Sequence, residues 1–327
     1  MRVVVIGIAN QQTSLPVDSF PFEYESWRNV NGQIRHTVGG VGFNVARVLS
    51  TLGNMVALAS PLGEDYPAAL IDAEAYRFNI STHLCRRELV RTPRSVVLYD
   101  SAGHRMVNSD LTDAASFAFD PEDLLPDVGR SNLVVLANLP LVRSLIAPLR
   151  DAANRFAVDL HDLRDPEHQA ISEFLAADLI NLSNEHLVGR EAETLEYLRE
   201  NSNAELISMT LGAEGALVLT PDMDAPVHVP VRDVEATNTV GAGEVYWAVT
   251  LHHFLKERRS APEAAARGCE AAARMVELSA PYAPTTIQDL REVIAPNRGA
   301  VVPVVEMPWS PYEVASDLPG QPSDWAI

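Results

Sequence analysis

Six apolar runs punctuate the chain: RVVVIGI (2–8), MVALAS (55–60), NLVVLA (132–137), RFAVDL (155–160), DLINL (178–182) and ELISMT (205–210). They are short, rich in Val, Ile and Leu, and continuous rather than alternating, as strands buried on both faces are. Helical spacing of apolar residues predicts helices over 43–53, 66–78, 141–154, 185–200, 241–257 and 262–279. Most of these separate one run from the next. Such alternation predicts a doubly wound α/β domain, a mostly parallel sheet flanked by helices.

Two segments break the alternation. Residues 10–38 are polar and aromatic without a helical period, and residues 94–110 read as two strands around the Ser101-Ala102-Gly103-His104 turn. Together they predict a small β-sheet lid over the carboxyl ends of the main strands, where open α/β sheets bind ligands. Ordinary edge strands are the other reading of the same residues. From about residue 296 to 327 proline is frequent and no period is sustained, which predicts an irregular C-terminal extension after a main domain at 1–295.

Composition narrows the function classes. The chain has 327 residues, 47% hydrophobic and 21% charged, enough for a sizeable core. Its formal net charge of -19 opposes nucleic acid and anionic membranes as partners. The start, MRVVVIGIAN, turns polar too quickly for a signal peptide, and no run reaches the roughly 18 apolar residues of a membrane span. A cytoplasmic enzyme or binding protein is therefore expected. Cys85 and Cys269 form no CxxC pattern, and the scattered histidines, such as adjacent His252 and His253, predict no metal cage. Lys256 is the sole lysine, so neither a Walker A lysine nor a Schiff-base lysine can be placed in a glycine loop.

Two glycine-rich stretches carry candidate chemistry. In NTVGAGEVYW (238–247) the small residues Gly241, Ala242 and Gly243 open a helix whose free amides suit an anion such as phosphate. Glu244 follows at once. It reads either as an ordinary helix N-terminal acid or as a base beside that anion. In HTVGGVGFNVARVLSTLGNMVALASPLGEDY (36–66), Gly39, Gly40 and Gly42 expose backbone, and Asn44 can donate to and accept from hydroxyls, which suits a polyol or sugar.

The spacing of Gly39, Gly40, Gly42, Asn44, Ala46, Gly53 and Gly63 resembles the first signature of the ribokinase-like, or PfkB, carbohydrate kinases. NTVGAGE resembles their second. The likeness covers roughly residues 2–295, and GGVGFN is most similar to the pseudouridine and nucleoside-type members. It implies a ribokinase-like fold and ATP-dependent phosphorylation of a sugar or nucleoside hydroxyl, with Mg2+. By resemblance, the amides of Gly241, Ala242 and Gly243 face the transferring phosphoryl group and Glu244 takes the general-base position. Gly40, Gly42 and Asn44 would hold substrate hydroxyls, with Asn10 and Gln12 where many members place a substrate-binding aspartate. Thr210, Gly212 and Gly215 of TLGAEG would line the nucleotide, and Asn184 would lie near phosphates or magnesium. Pairing of lids into a homodimer is implied by the same analogy.

The departures from the pattern fall at the acids. The usual aspartate base is Glu244, one methylene longer. The Asn-x-x-Glu motif reads Asn184-Glu185-His186-Leu187, which leaves Glu185 as the candidate metal ligand from a neighbouring position. Asn238 stands where an acidic residue usually opens the second signature. The competing expectation is a catalytically silent protein that keeps a sugar, nucleoside or nucleotide pocket. A dinucleotide oxidoreductase is disfavoured, because RVVVIGIANQQ lacks GxGxxG.

Overall fold

The structure is a computed structural model that describes residues 1–100, 104–111, 113–137, 139–167, 171–234, 239–278 and 287–294. Asn238, the turn at 101–103 and the expected C-terminal extension lie outside the described residues. The chain opens with β1 (Arg2–Ile6), β2 (Asn10–Pro16), β3 (Arg35–Gly39) and α1 (Val41–Thr51). β4 (Met55–Ala59), β5 (Pro61–Leu62), α2 (Tyr66–Arg77), β6 (Ile80–Ser81) and β7 (Arg86–Arg87) follow. Next come β8 (Arg94–Tyr99), β9 (Arg105–Asp110), α3 (Pro121–Val128), β10 (Leu133–Ala137) and α4 (Pro140–Arg150). The second half adds β11 (Phe156–Asp159), β12 (Leu179–Ser183), α5 (Glu191–Asn201), β13 (Leu206–Thr210), β14 (Ala216–Leu219) and β15 (Val227–Val229). It closes with α6 (Ala242–Leu251), a π-helical turn (His252–Lys256), α7 (Ala261–Leu278) and α8 (Ile287–Ile294).

The main sheet has nine strands in the order β15-β14-β13-β12-β11-β10-β1-β4-β6. It is parallel except at β14 and β15. The six apolar runs form its centre. β10, LVVLA, is buried at every position, as a strand covered by helices on both faces must be. The core is accordingly in two parts. One joins the sheet to α1, α2, α6 and α7, and the other joins it to α3, α4 and α5. The strand order reverses between β1 and β10, and open sheets of this kind bind ligands at the carboxyl ends flanking such a reversal.

β3, β2, β8 and β9 form a separate four-stranded sheet. The residues expected to make a small sheet do so, although β2 pairs with β8 in parallel, Gln11 opposite Arg94. Cross-strand partners share a face. Arg105 lies opposite Tyr99 and Val107 opposite Val97, on the same side as the buried Ser95, Val97 and Tyr99.

Two expected helices are adjusted. The helix expected at 185–200 begins at Glu191, because residues 184–190 form turns around Gly189, whose φ is +81°. The helix expected at 241–257 loosens into the π-helical turn after Leu251. α3 and the β14–β15 hairpin were not anticipated. α3 is brief and carries Pro126 inside it, which breaks any readable period.

α6 is buried at every residue from Val245 to Leu251, with Trp247 fully enclosed. α7 crosses it closely at Gly268, where a β-carbon would lie 2.4 Å from Thr250 Oγ1 and 2.7 Å from the Tyr246 carbonyl oxygen. Just beyond α6, Asn54 Nδ2 lies 3.0 Å from His252 Nδ1. Burial is the main cause that pushes the His252 imidazole down from its ordinary 6.5 to about 4. Among the described residues no helix is long and apolar enough to cross a membrane.

A histidine whose folded pKa lies below its unfolded one takes up its proton more readily unfolded. Stability should therefore fall as pH drops from about 6.5 towards about 4, with His252 contributing a slope of up to ~1.4 kcal/mol per pH unit. Urea unfolding at pH 7 and pH 5 should show a smaller loss in His252→Gln than in the parent chain. An equal loss in both would remove His252 from the acid sensitivity.

Candidate active site

A cleft of about 670 Å³ opens at the carboxyl ends of β11, β12 and β13, roofed from the lid by Arg105. That size suits a nucleotide or small substrate. One wall is the start of α6. Gly241 caps the helix in a left-handed conformation, Ala242 donates to the Thr239 carbonyl at 3.2 Å, and Val245 donates to the Gly241 carbonyl at 3.0 Å. The amides of Gly243 and Glu244 lie between them in the first turn, where a helix supplies no internal partner. No atom comes within 4 Å of a β-carbon built on Gly243, so the backbone there is open to a close-lying group.

Glu244 faces α1 across the cleft floor. Its Oε1 accepts from Asn44 Nδ2 at 3.3 Å, and Asn44 Oδ1 accepts from Arg47 Nη2 at 3.1 Å. Arg47 is buried, and burial lowers its guanidinium to about 10, while Glu74 and Glu244 pull it back up. Gly42 and Glu244 share a narrow recess with Asp159 and His161.

α1 is brought here by close backbone packing. The amides of Gly42 and Phe43 both donate to the Ile8 carbonyl, at 3.0 and 3.4 Å, so the Gly42 amide already has a partner inside the protein. A β-carbon on Gly42 would sit 2.7 Å from the Gly7 carbonyl carbon, so glycine is needed for the turn after β1 to meet α1. Gly40 precedes the helix as its N-cap. On β2, Asn10 and Gln12 project toward Gly39, and Asn10 Nδ2 donates to Ser95 Oγ of β8 at 3.1 Å. Asn10 Oδ1 is buried without a hydrogen-bond partner. A polar ligand oxygen carrying a hydrogen would satisfy it.

The opposite wall is the TLGAEG turn between β13 and β14. Thr210, Gly212 and Gly215 all line the cleft. Gly215 has φ +99°, and a β-carbon there would meet the Val229 carbonyl oxygen at 2.2 Å, so no other residue fits the turn. Asn184 also lines the cleft; its amide donates to the Thr210 carbonyl at 3.0 Å and its Nδ2 to Glu191 Oε1 at 3.2 Å. Glu185, the expected metal ligand, is exposed at the rim. The buried carboxylate beside Asn184 is Glu191, 4% exposed, whose Oε2 has no hydrogen-bond partner. That unpartnered oxygen, with Asn184, is a donor set of the hard oxygen type that magnesium takes. Among the described residues no group of three or more His, Cys, Asp or Glu side chains could hold a metal ion.

Several cleft residues were missed by sequence reasoning. Asp159 ends β11, and its Oδ1 accepts from Asn181 Nδ2 at 3.1 Å. His161 adopts a left-handed φ of +53°, with Nδ1 3.5 Å from Asp159 Oδ2. Single polar residues at strand ends leave no periodic trace. Arg105 Nη1 donates to Thr239 Oγ1, tying the lid to the segment before α6.

The cleft lies at the carboxyl ends of an α/β sheet, with a glycine-rich helix start on one wall and the β lid above it. Residues 1–287 match the pfkB family carbohydrate kinases, and the chain belongs to that family. Over 303 residues it is 26% identical to an ATP-dependent ribose-1-phosphate kinase of Halopiger xanaduensis, covering 89% of this chain and 99% of that protein. It is also 26% identical over 292 residues to the bifunctional protein HldE of a Bradyrhizobium species, covering 82% of this chain. The chain spans only 58% of that relative's length, and 46% of two further HldE proteins. In structure it resembles the microbiome-derived acarbose kinase Mak1, with a TM-score of 0.79 at 23% identity over 90% of this chain and 98% of that one. The fold is ribokinase-like, shared with solved ribokinases.

Burial raises the Cys269 thiol, in the cleft wall, to about 12 and the Cys85 thiol to about 11. Because the thiolate is the reactive form, both should resist Ellman's reagent at pH 8 and react in guanidinium. A thiol titrating rapidly in the folded protein would contradict this burial.

Proposed function

We propose that the chain transfers the γ-phosphoryl group of ATP to a hydroxyl of a ribosyl sugar or nucleoside. The observation that carries this reading is Glu244, in the first turn of α6, beside open backbone amides and across a cleft from the TLGAEG turn. The substrate hydroxyl oxygen attacks the γ-phosphorus, its proton passes to the Glu244 carboxylate, and the bond from phosphorus to the bridging oxygen breaks to release ADP. The amides of Gly243 and Glu244, with Gly241 and Ala242 shaping the approach, stabilise charge on the phosphoryl oxygens. Magnesium, when bound with the nucleotide, neutralises phosphate charge. Asn184 and Glu191 would hold it or its waters, with Glu185 at the rim.

Thr210, Gly212 and Gly215 line the nucleotide side. Asn44, Asn10 and Gln12 supply polar contacts on the sugar side, while Gly40 and Gly42 shape the backbone there. The ribose-1-phosphate kinase among the relatives supports a ribosyl acceptor. The lid's outer face, with Val96 and Met106 each 43% exposed, is the surface offered for a homodimer.

ADP release should be measured with magnesium ATP and D-ribose, ribose 1-phosphate, D-fructose, adenosine or pseudouridine. Turnover with at least one ribosyl acceptor is expected. No turnover with any, together with tight nucleoside binding, would establish a binding module instead. Glu244→Gln should lower turnover by roughly 100-fold or more with ligand affinity nearly intact. Asn44→Ala should weaken acceptor binding by about 1–3 kcal/mol while sparing ATP. Equal calorimetric losses for both ligands would assign Asn44 to the fold alone.

A further inference from the structure

Arg47 stands one layer behind the cleft. Its residue is 7% exposed, it does not line the cleft, and its guanidinium carbon lies 5.9 Å from the Phe43 ring centroid and 5.7 Å from that of Phe78. A cation buried in this way is costly unless it is paired or hydrogen-bonded. Its Nη2 donates to Asn44 Oδ1, and Asn44 Nδ2 donates in turn to Glu244.

The chemistry of the two ends leaves the middle no choice. A guanidinium only donates and an ionised carboxylate only accepts, so an amide between them must turn its oxygen to Arg47 and its nitrogen to Glu244. We propose that Arg47 is a positioning residue that acts through Asn44, fixing the amide so that it presents a donor to the Glu244 carboxylate. This rests on the reading of Glu244 as the base. Without Arg47 the carboxylate alone still favours the amide nitrogen, but the amide oxygen loses its anchor, so the amide can swing and its donor is no longer held at one distance and direction from the acid. The relay also suits the length of the acid. A glutamate at the start of α6 reaches the amide on α1, whereas an aspartate would fall short by about an ångström, a shift large enough to matter to a reacting geometry.

The test uses the full chain labelled with 15N-asparagine, in which the Asn44 side-chain NH2 pair is identified by its loss in Asn44→Ala. In the parent chain, Glu244→Gln should shift that pair, because its acceptor changes from carboxylate to amide. In Arg47→Met, which keeps an apolar stem against the two rings, the same substitution should shift the pair by less than half as much. If Arg47→Met does not fold, Arg47→Gln replaces it; glutamine both donates and accepts, lets Asn44 swing, and should give the same reduced response. Equal shifts in both backgrounds would overturn the proposal. Where an acceptor is turned over, Arg47→Met should lower kcat at least about tenfold with little change in KM for ATP, and should add nothing to Asn44→Ala. Multiplying effects on kcat would show that Arg47 acts by another route. The resonance measurement needs no turnover, so an inactive chain would fail the kinase reading while still deciding the role of Arg47.

Discussion

The site depends on the burial of α6. A helix that is enclosed at every residue from Val245 to Leu251 has no freedom to slide or tilt without opening the core on the α7 side. Gly268 brings α7 into backbone-close contact, and the Tyr246 hydroxyl meets Ser208 Oγ of β13 at 2.5 Å, locking the helix to the sheet as well. The first turn is consequently delivered to the cleft in one place. The amides of Gly243 and Glu244 lie in that turn, where a helix supplies no internal partner, and their direction is set by everything packed beyond it.

On the proposed reading, this arrangement lets so acidic a chain present a surface for phosphate. The field of a protein with formal net charge -19 repels an anion, and the lone lysine, Lys256, lies at the far end of the same helical segment with its Nζ 3.4 Å from the Gly53 carbonyl oxygen. Attraction has to be local. Backbone amides at a helix start supply it without a side chain, and Arg105 adds a cation from the lid, bonded to Thr239 three residues before the helix.

The sequence made the central sheet legible because its strands are continuous apolar runs, and the six expected runs became β1, β4, β10, β11, β12 and β13. The two signature loops were legible because glycines mark them. Their partners were not, since Asn44 and Glu244 are 200 positions apart and only the fold reveals that they touch. Arg47 read as one more polar residue in a helix, and nothing in its spacing set it apart. The parallel pairing of β2 with β8 was hidden for the same reason: pairing between distant strands has no signature within either. The helix misplaced at 185 shows the opposite error. Leu187 is fully buried and gave the segment a helical look, yet it is held in a turn by donating its amide to the Asn184 carbonyl at 2.7 Å.

That turn bears on the missing acid of the Asn-x-x-Glu motif. Leu187 faces the core, so a carboxylate at that position would be buried among apolar side chains at considerable cost. Glu191, four residues later, starts α5, and its carboxylate accepts from Asn184 instead. An acid in the first turn of a helix is stabilised by the dipole, and there it needs no buried cation to hold it. Glu191 thus pairs a carboxylate with the Asn184 amide beside the cleft, while position 187 holds a buried leucine. The longer acid at 244 follows the same logic, with the reach of the side chain and the amide it meets settling together where the carboxylate stands. In both places a carboxylate meets an amide brought from elsewhere in the chain, and a motif read along the sequence sees only half of that pair.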